Sequence, residues 1–431
     1  MKIAILGAGV SGLTAARRLS RHAEVTVFEA KDRPGGNIRT DEVDGCLIEW
    51  GPNGFLDNEP ATLELVEELG LGPRVARARE EAARRFIWRA GKLRELPTSP
   101  KAFLLGDALP LFQRLRIGLE PFAKKAPGHD ESVFDFAKRH LGRGAAEVLI
   151  DAFVTGIFAG DPKRLSVRSA FPKLKALEDQ YGSLIKGAKG RGPGPSGTLT
   201  SFDGGLQVLV DALAEGVDVR YGAQLDALPE GFDHVLCTIP APRAADLVPA
   251  ELGGLLRRIP TAPVVVVAMV FRGDLLQTVP DAFGFLVPRN QGLRMLGTLY
   301  DSSIFSGRAP EGRRLFRTLL GGRRDPDLPS LGDDELRELV AKELHKVWGE
   351  FPDPETFHVI RHPLGICQYE IGHADLLEQI EAACPADLRL AGASYRGVAL
   401  NACVKEARTW LPLGVETAGG PGSASAGGDV S

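Results

Sequence analysis

A glycine-rich turn near the N-terminus is the feature that most constrains what this chain can fold into. Gly7, Gly9 and Gly12 form the pattern GxGxxG between a short apolar run and a helical pattern at residues 11–21. A second apolar run follows at residues 24–29. This order of strand, helix and strand predicts an α/β fold that opens on a parallel sheet.

Each of the three glycines has its own steric reason in such a turn. Gly7 makes the tight turn, Gly9 lets the backbone approach a pyrophosphate, and Gly12 lets the helix pack close to the strand. The helix N-terminus then offers N–H groups and a partial positive charge. Glu29 ends the second apolar run, where a ribose-binding acid is expected. The turn and this acid together predict a dinucleotide site.

Composition excludes several other classes of protein. Hydrophobic residues make up 44 % of the chain and charged residues 25 %, which excludes global disorder. The 52 basic and 56 acidic residues nearly balance, so the basic footprint of a nucleic-acid binder is missing. No apolar run is long enough to span a bilayer. Five scattered cysteines without a CxxC pair predict reduced thiols in a cytosolic protein.

The stretch after Glu29 distinguishes a flavin from a nicotinamide cofactor. It reads AKDRPGGNIRT and places Arg33, Gly35, Gly36 and Thr40 at set distances from the acid. This stretch resembles the extension found in flavoenzymes of the amine-oxidase superfamily, in which the glycine pair passes beside the FAD pyrophosphate and the flavin. The resemblance predicts FAD as the cofactor.

Within that superfamily, the chain resembles the protoporphyrinogen oxidases. The resemblance covers nearly the whole chain, in the same order, and residues 51–54 and 155–162 separate it from monoamine and polyamine oxidases. It is carried by four strings: GPNGFLDNEP (51–60), TGIFAGDPKRLSVRSAFPKL (155–174), SFDGGLQVLVDAL (201–213) and LAGASYRGVALNAC (390–403).

The resemblance implies a mixed α/β (α+β) architecture of three domains and a tail. They are a Rossmann-like FAD-binding domain (1–80, 196–250 and 386–413), a mixed-sheet substrate-binding domain (81–96, 164–195 and 251–385), a helical and membrane-associated insertion (97–163), and a low-complexity, disordered tail (414–431).

The resemblance also implies which residues contact FAD. The helix after Leu400 would point its N-terminus at the flavin pyrimidine edge, where negative charge gathers on reduction. The implied FAD contacts are Gly7, Ala8, Gly9, Val10, Ser11, Gly12, Glu29, Ala30, Arg33, Gly36, Asn37, Gly51, Pro52, Asn53, Gly54, Leu225, Ala393, Val398, Ala399 and Leu400.

Substrate contacts follow from the same resemblance. Arg85, on a hairpin predicted at residues 85–96, would bind a propionate of a tetrapyrrole, for which a guanidinium is the bidentate match. Phe285, Leu296 and Phe316 are candidates for the apolar pocket wall, with a plain core role as the alternative. Asn53 would touch either the flavin or the substrate.

No catalytic side chain and no metal site are predicted. Neither a histidine nor a carboxylate stands out as a general base, so flavin N5 would be the hydride acceptor without help from a side chain. His358 and His362 have a spacing that suits a metal only on a helix. Their surroundings predict an extended segment, in which four residues span about 13 Å.

The implied activity is the oxygen-dependent oxidation of protoporphyrinogen IX to protoporphyrin IX in haem biosynthesis. It removes six electrons and turns three O₂ into three H₂O₂. Three alternatives stay open: a coproporphyrinogen III oxidase that forms coproporphyrin III, another amine-oxidase-type flavoenzyme, and a degenerate, non-catalytic flavin- or porphyrin-binding partner. The last is motivated by Ala402, where the family usually has Asp, and by a helix that stops before Pro412.

Residues 97–127 are apolar and punctuated by proline, with basic residues among them. They predict peripheral contact with an anionic membrane surface, with a helical cap or a dimer contact as the alternative. The expected location is the cytoplasm, at the inner face of the cytoplasmic membrane. The expected partners are the porphyrinogen, dioxygen, and a second copy or the next haem-pathway enzyme, with no nucleic acid.

Overall fold

A computed structural model describes residues 1–97, 99–123, 126–188 and 197–410 of the chain. The predicted disordered tail and most of the predicted glycine-rich loop at 187–197 lie outside the described residues. The strands are β1 (Lys2–Leu6), β2 (Glu24–Phe28), β3 (Thr40–Val43), β4 (Cys46–Glu49), β5 (Phe55–Leu56), β6 (Val75–Arg77), β7 (Arg85–Arg89), β8 (Lys92–Glu95), β9 (Leu199–Phe202), β10 (Val219–Arg220), β11 (His234–Cys237), β12 (Thr261–Arg272), β13 (Gly284–Leu286), β14 (Gly297–Leu299), β15 (Arg313–Gly321), β16 (Thr356–Cys367) and β17 (Leu388–Leu390).

Helices connect and cover these strands. They are α1 (Val10–Leu19), α2 (Pro60–Glu68), α3 (Pro100–Leu105), α4 (Leu111–Ile117), α5 (Val133–Leu141), α6 (Arg143–Ala145), α7 (Asp151–Phe158), α8 (Val167–Ala170), α9 (Pro172–Tyr181), α10 (Leu184–Ala188), α11 (Gln207–Ala214), α12 (Ala241–Ala244), α13 (Ala250–Leu256), α14 (Asp301–Ile304), α15 (Asp333–Trp348), α16 (His373–Ala383) and α17 (Leu400–Thr409). Among the described residues, none of them is both long and apolar enough to cross a bilayer.

The first sheet is parallel and has the strand order β10-β2-β1-β11-β17. Its inner strands are apolar on both faces, because α1, α11 and α17 cover one face and α12, α13 and α16 cover the other. The predicted opening of strand, helix and parallel strand is therefore confirmed. The sheet brings three distant parts of the chain together, and their connections meet at its carboxyl edge.

The second sheet is mixed and has the strand order β16-β12-β15-β14-β13-β7-β8. Its pairs are antiparallel except for β13 and β7, which run parallel. Alternate residues of its strands point to opposite faces, and α15 covers one of the two faces. The other face packs against β3, β4 and the end of α7. Together with the parallel sheet, this gives the mixed α/β fold that was expected.

The predicted hairpin at residues 85–96 is present as β7 and β8. Ala90 and Gly91 form its turn with φ angles of 51° and 73°, the positive values that a two-residue hairpin turn requires. The hairpin ends the mixed sheet, and β7 is anchored to β13 from a much later part of the chain. Arg85 therefore occupies a fixed position at the start of a paired strand.

A helical segment lies between the hairpin and β9. The sequence of residues 132–153 predicts a helix, but the structure divides it, because Gly142 has a φ of 90° and ends α5. The Ser132 side chain caps α5 by accepting the N–H of Asp135 at 2.9 Å. Helices α8 to α10, assigned above to the substrate-binding domain, pack with α5 and α7. The predicted domain boundary at residue 163 stays a prediction.

Candidate functional site

The glycine turn joins β1 to α1 at the carboxyl edge of the parallel sheet. A Cβ built at Gly12 would lie 2.0 Å from the carbonyl oxygen of Gly7, so α1 packs this closely only because glycine is present. Gly9 differs, because its φ of −75° suits any residue and a Cβ built there meets no heavy atom within 4 Å. The fold does not need glycine at this position, and its missing side chain leaves open space.

The N-terminus of α1 faces that space without a capping side chain. The N–H groups of a first helical turn have no partner inside the helix, and they favour an anion. Open space at Gly9 in front of an uncapped helix is the arrangement that a pyrophosphate requires.

Glu29 lies beside the glycine turn and is only 7 % exposed. One of its carboxylate oxygens accepts the N–H of Ala8 at 2.8 Å, and the other accepts the N–H of Lys31 at 3.0 Å. A carboxylate oxygen can accept a second hydrogen bond, so Glu29 retains capacity for ribose hydroxyls. The N–H of Ala223 donates to the backbone carbonyl of Glu29 at 2.9 Å, which brings the segment of Leu225 to this side of the site.

The segment after Glu29 docks on the glycine turn. The N–H of Gly35 donates to the carbonyl of Ala8 at 2.7 Å. The Arg33 guanidinium donates to the carbonyl of Gly36 at 3.3 Å and lies 5.4 Å from the centre of the Trp50 ring. Burial and neighbouring cations lower the pKa of Arg33. The predicted cofactor residues of this segment thus lie against the turn that starts at Gly7.

The glycine-rich segment that starts at Gly51 is fixed by a residue of the mixed sheet. Arg317, on β15, is 1 % exposed and donates to the carbonyls of Glu49 at 2.7 Å and Gly51 at 3.1 Å. Its guanidinium forms a buried ion pair with Asp301. Asp301 also accepts the side-chain N–H of Asn53 at 3.1 Å. The segment is therefore connected to the mixed sheet.

Residues 392–400 form a loop between β17 and α17, which we call the 392–400 loop. The N–H of Gly392 donates to Glu406, on α17, at 2.8 Å. The N-cap residue of α17 is Ala399, which has no side chain able to cap the helix. Helix α17 packs against α1. The two helices present two uncapped N-termini, and with Glu29 and the space at Gly9 these residues fit an FAD molecule.

Arg85 points to the face of the mixed sheet that α15 does not cover. It shares this face with Ile87 and Leu286, because β7 and β13 are paired in register. Its guanidinium lies 4.7 Å from the centre of the Phe283 ring. Among the described residues, no acidic side chain forms an ion pair with Arg85. The neighbouring Arg84, in contrast, pairs with a glutamate of β8 at 3.0 Å.

Helix α7 lies above the same face. A Cβ built at Gly156 would lie 3.1 Å from Leu286, so this side of the helix looks toward β13. Phe153 and Ile157 share that side at helical spacing, yet they are 38 % and 37 % exposed. The Phe153 ring lies 5.2 Å from that of Phe171, and exposed apolar side chains of this kind, next to a sheet face, can line a site for an apolar ligand. We call the space between α7 and this face of the sheet the cleft.

The sequence profile of the family described as flavin containing amine oxidoreductase matches residues 10–409, nearly all of the described chain. The chain belongs to this family. It is an FAD-dependent oxidoreductase, and the FAD predicted from the stretch after Glu29 is its cofactor. The residue-by-residue FAD contacts stay predictions.

The chain is also similar to individual proteins that are named porphyrinogen oxidases. The flavoenzyme is 35 % identical to the protoporphyrinogen oxidase of Bos taurus, over 94 % of this chain and 96 % of the bovine protein. It is 28 % identical to the coproporphyrinogen III oxidase of Staphylococcus aureus, over 94 % and 97 % of the two chains. A solved structure of a candidate protoporphyrinogen oxidase from Exiguobacterium sp. 255-15 has a TM-score of 0.83 at 26 % identity, over 95 % and 97 % of the chains.

Two of the residues predicted to line the substrate pocket lie outside the cleft, on the opposite face of the mixed sheet. Phe285 and Phe316 are 2 % and 0 % exposed and pack under α15, on the face opposite to Arg85. Phe316 stacks on Tyr300 with the ring centres 4.4 Å apart. The alternation of side chains along the strands determines this placement. Both are therefore core residues, which was the alternative to a place in the pocket wall. Leu296 packs on the other face and is 3 % exposed, and its substrate role stays a prediction.

Sequence reasoning missed several residues that shape the site. Phe153 and Ile157 were passed over because apolar residues on a helix are ordinarily core. Arg317 and Asp301 were passed over because nothing in the sequence pairs them. A signal was present for Arg317, since a cation inside the apolar strand RRLFRTLLG must find a partner when it is buried.

The histidine pair lies on a strand, as predicted. His358 and His362 both belong to β16. The Nε2 of His362 hydrogen-bonds the carbonyl of Trp50 at 2.8 Å. Burial lowers the pKa of His362, which favours the neutral ring in this position. Within the described ranges, no group of ligating side chains is placed to hold a metal ion.

Proposed function

We propose that the protein oxidises protoporphyrinogen IX to protoporphyrin IX. The observation that carries this proposal is Arg85, a cation without an acidic partner in the described structure, at the edge of an apolar cleft. A flat tetrapyrrole with two propionates is the ligand chemistry that suits such a cleft. The names of similar proteins, protoporphyrinogen oxidase and coproporphyrinogen III oxidase, support the same substrate class.

The reaction removes six electrons and six protons from the porphyrinogen in three two-electron steps. When bound, FAD supplies the hydride acceptor at N5 and passes the electrons to dioxygen. Each step then converts one O₂ to one H₂O₂, so that three of each balance the whole oxidation. Dioxygen is the acceptor that we propose.

The side chains of the protein bind and orient the reactants. Arg85 holds one propionate and sets the orientation of the macrocycle. Phe153, Ile157 and Leu286 give the ring apolar contacts and exclude water from the reacting carbon. We propose no general base, since pyrrole nitrogens of the substrate can release protons through tautomerism.

A coproporphyrinogen III oxidase is the nearest alternative, and its ring carries four carboxylates. The cations nearest to Arg85 along β7 are already engaged. Arg84 pairs with Glu95, and Arg89 donates to the carbonyl of Ala108 at 3.3 Å. Among the described cations of residues 84–89, Arg85 is thus the available guanidinium, and one such group suits a dicarboxylate better than a tetracarboxylate. This favours protoporphyrinogen.

The decisive experiment compares turnover of the two porphyrinogens by the purified, yellow holoprotein. Porphyrin fluorescence should grow faster from protoporphyrinogen, with the higher kcat/KM. Faster growth from coproporphyrinogen would assign the protein to the alternative reaction. A protein that binds porphyrin and holds no flavin would support a non-catalytic partner instead.

The structure gives the non-catalytic alternative little support. Helix α17 covers ten residues despite its early end, and it buries Leu400, Cys403 and Val404. Burial raises the pKa of the Cys403 thiol to about 11, as expected of an inert packed residue. Ala402 lies against Gly397, where a Cβ on the glycine would be 2.3 Å from its own. The small side chain at 402 therefore accompanies a close turn of the 392–400 loop.

We also propose peripheral contact with an anionic membrane through residues 97–127. Large apolar side chains are exposed there among basic residues, which is typical of a surface that lies on lipid. Leu109 lies within residues 97–127 as well, but it is 1 % exposed and belongs to the core. The exposed side chains are Leu105, Leu111, Phe112, Leu115, Leu119 and Phe122.

We further propose that the protein lies in the cytoplasm, at the inner face of the cytoplasmic membrane. Contact of the same surface with a second copy of the chain, or with the next enzyme of the haem pathway, stays a prediction.

A further inference from the structure

Tyr369 connects the strand β16 to the 392–400 loop through a single hydroxyl group. The hydroxyl donates to the carbonyl of Ala393 at 2.7 Å and accepts the N–H of Gly397 at 2.8 Å. Both bonds therefore end on the loop that leads into the uncapped N-terminus of α17. The two contacts span most of the loop and fix its curvature.

Packing holds the Tyr369 ring rigidly. The side chain is 1 % exposed, stacks on His373 with the ring centres 4.4 Å apart, and meets the edge of Phe158 at 5.9 Å. Burial raises the pKa of the Tyr369 hydroxyl well above its usual value, so the proton needed for donation stays in place. The 392–400 loop is therefore hydrogen-bonded to a hydroxyl group whose ring is held in place by its neighbours.

Gln368, the residue before Tyr369, is hydrogen-bonded to α7 and not to the 392–400 loop. The side-chain N–H₂ of Gln368 donates to the carbonyl of Phe158, the last residue of α7, at 2.8 Å. Gln368 is also 1 % exposed. Gln368 and Tyr369 thus connect α7, which lines the cleft, with the loop predicted to contact the flavin.

We propose that Tyr369 is a positioning residue that sets the flavin relative to the cleft, acting through the 392–400 loop, while Gln368 sets α7. This inference rests on the proposed function, because it takes the cleft as the substrate site. Hydride transfer depends steeply on the approach of donor and acceptor, so a loosened loop lowers its rate without removing the substrate from the cleft.

Tyr395 supplies a matched control. It lies in the same loop and is 2 % exposed, but its hydroxyl has no hydrogen-bond partner among the described residues. The exchange of either tyrosine for phenylalanine removes one buried oxygen and keeps the ring. Only Tyr369→Phe removes bonds to the loop.

The experiment compares wild type, Tyr369→Phe and Tyr395→Phe in three measurements. These are the Kd of FAD for the apoprotein, the rate of flavin reduction by porphyrinogen in an anaerobic single turnover, and the melting temperature of the apoprotein. For Tyr369→Phe we expect a Kd about tenfold higher and a reduction rate about tenfold lower, because two hydrogen bonds are lost. Tyr395→Phe should stay within about twofold of wild type.

Two results would overturn the inference. One is a Tyr369→Phe protein whose FAD Kd and flavin reduction match those of Tyr395→Phe. The other is a lower melting temperature with Kd and reduction rate unchanged, since this would show a purely structural role. The Kd measurement needs no substrate, so it still tests Tyr369 if wild type does not oxidise protoporphyrinogen.

Gln368→Met tests the second half of the proposal. Methionine keeps the length of the side chain and loses the bond to Phe158. We expect slower flavin reduction with the FAD Kd unchanged, because α7 moves and the 392–400 loop does not. A changed Kd with unchanged reduction would contradict the assigned division between the two residues.

Discussion

Arg317, on β15, and Asp301, at the start of α14, form a buried ion pair with side chains 1 % and 2 % exposed. The same guanidinium donates to the carbonyls of Glu49 and Gly51. The pair therefore ties the glycine-rich segment beside the cofactor site to β15. Attraction to Asp301 raises the pKa of Arg317 although burial opposes it, so the arginine stays charged.

Asp301→Asn should strongly destabilise the fold, because it leaves the buried charge of Arg317 without its counter-ion. Removal of one partner of a buried pair costs about 3–5 kcal/mol. The measurement is urea unfolding of the apoprotein. The exposed pair of Arg272 and Asp274 is the control, and Asp274→Asn should change stability little. Equal losses in the two variants would refute a special role for the buried pair.

Gly9→Val should abolish FAD retention and leave the apoprotein folded. The backbone of Gly9 suits any residue and its Cβ position is open, so valine strains nothing and fills the space proposed for the pyrophosphate. Gly12→Val should instead destabilise the apoprotein, since its Cβ would meet the carbonyl of Gly7. Flavin absorbance after gel filtration and the apoprotein melting temperature separate the two effects. A yellow Gly9→Val protein would place the pyrophosphate elsewhere.

Local sequence patterns predicted the local elements well. The strand, helix and strand that begin the chain agree with the structure to within two residues, because apolar periodicity and glycine spacing are local signals. The sequence of residues 333–348 predicts a helix with the same two ends as the observed helix Asp333–Trp348, which Gly332 precedes and Gly349 follows. FAD as the cofactor was predictable for the same reason, since the glycines that indicate it lie in short motifs.

Relations between distant segments were not predictable in this way. Phe285 and Phe316 were assigned to the pocket by the family resemblance. The sequence alone could not test that assignment, because alternation along a strand shows that two faces exist but not which face a helix covers. The answer depends on α15, which follows both residues in the chain. The pairing of β13 with β7, and that of Arg317 with Asp301, likewise depends on tertiary packing that no local pattern records.

Arg85→Ala should raise the KM for protoporphyrinogen about 10- to 100-fold, because a charge-assisted contact with a carboxylate is worth about 1.5–3 kcal/mol. FAD content should not change. Arg85→Lys should give an intermediate KM, since an ammonium cannot match a carboxylate bidentately. Arg84→Ala is the control, because Arg84 is engaged by Glu95. An unchanged KM in Arg85→Ala would exclude the propionate contact.

Phe112→Glu should weaken binding to vesicles that contain anionic lipid. Phe112 is 70 % exposed within the apolar surface, and burial of such a side chain contributes about 1.5–3 kcal/mol, so binding should fall at least about tenfold. Leu275→Glu is the control, since Leu275 is 53 % exposed outside this surface. Co-sedimentation with vesicles measures both. Equal binding by Phe112→Glu and wild type would contradict membrane contact through this surface.

One half-buried histidine, His362, and one buried histidine, His373, should make the folded state less stable in mild acid. Burial lowers the pKa of His362 and of His373, and both rings hydrogen-bond backbone carbonyls. Below the ordinary histidine pKa of about 6.5, the unfolded chain therefore binds more protons than the folded one. This stability is present above that pKa and is lost as the pH falls.

The measurement is the free energy of unfolding in urea at about pH 7.5 and about pH 5.5, on either side of that pKa. The value should be lower at the acidic pH, and His362→Gln should reduce the difference, because glutamine can still donate to the carbonyl of Trp50 but does not titrate. The same measurements on His373→Gln give the share of the second ring. A difference between the two pH values that neither substitution reduces would show that other groups cause the acid sensitivity.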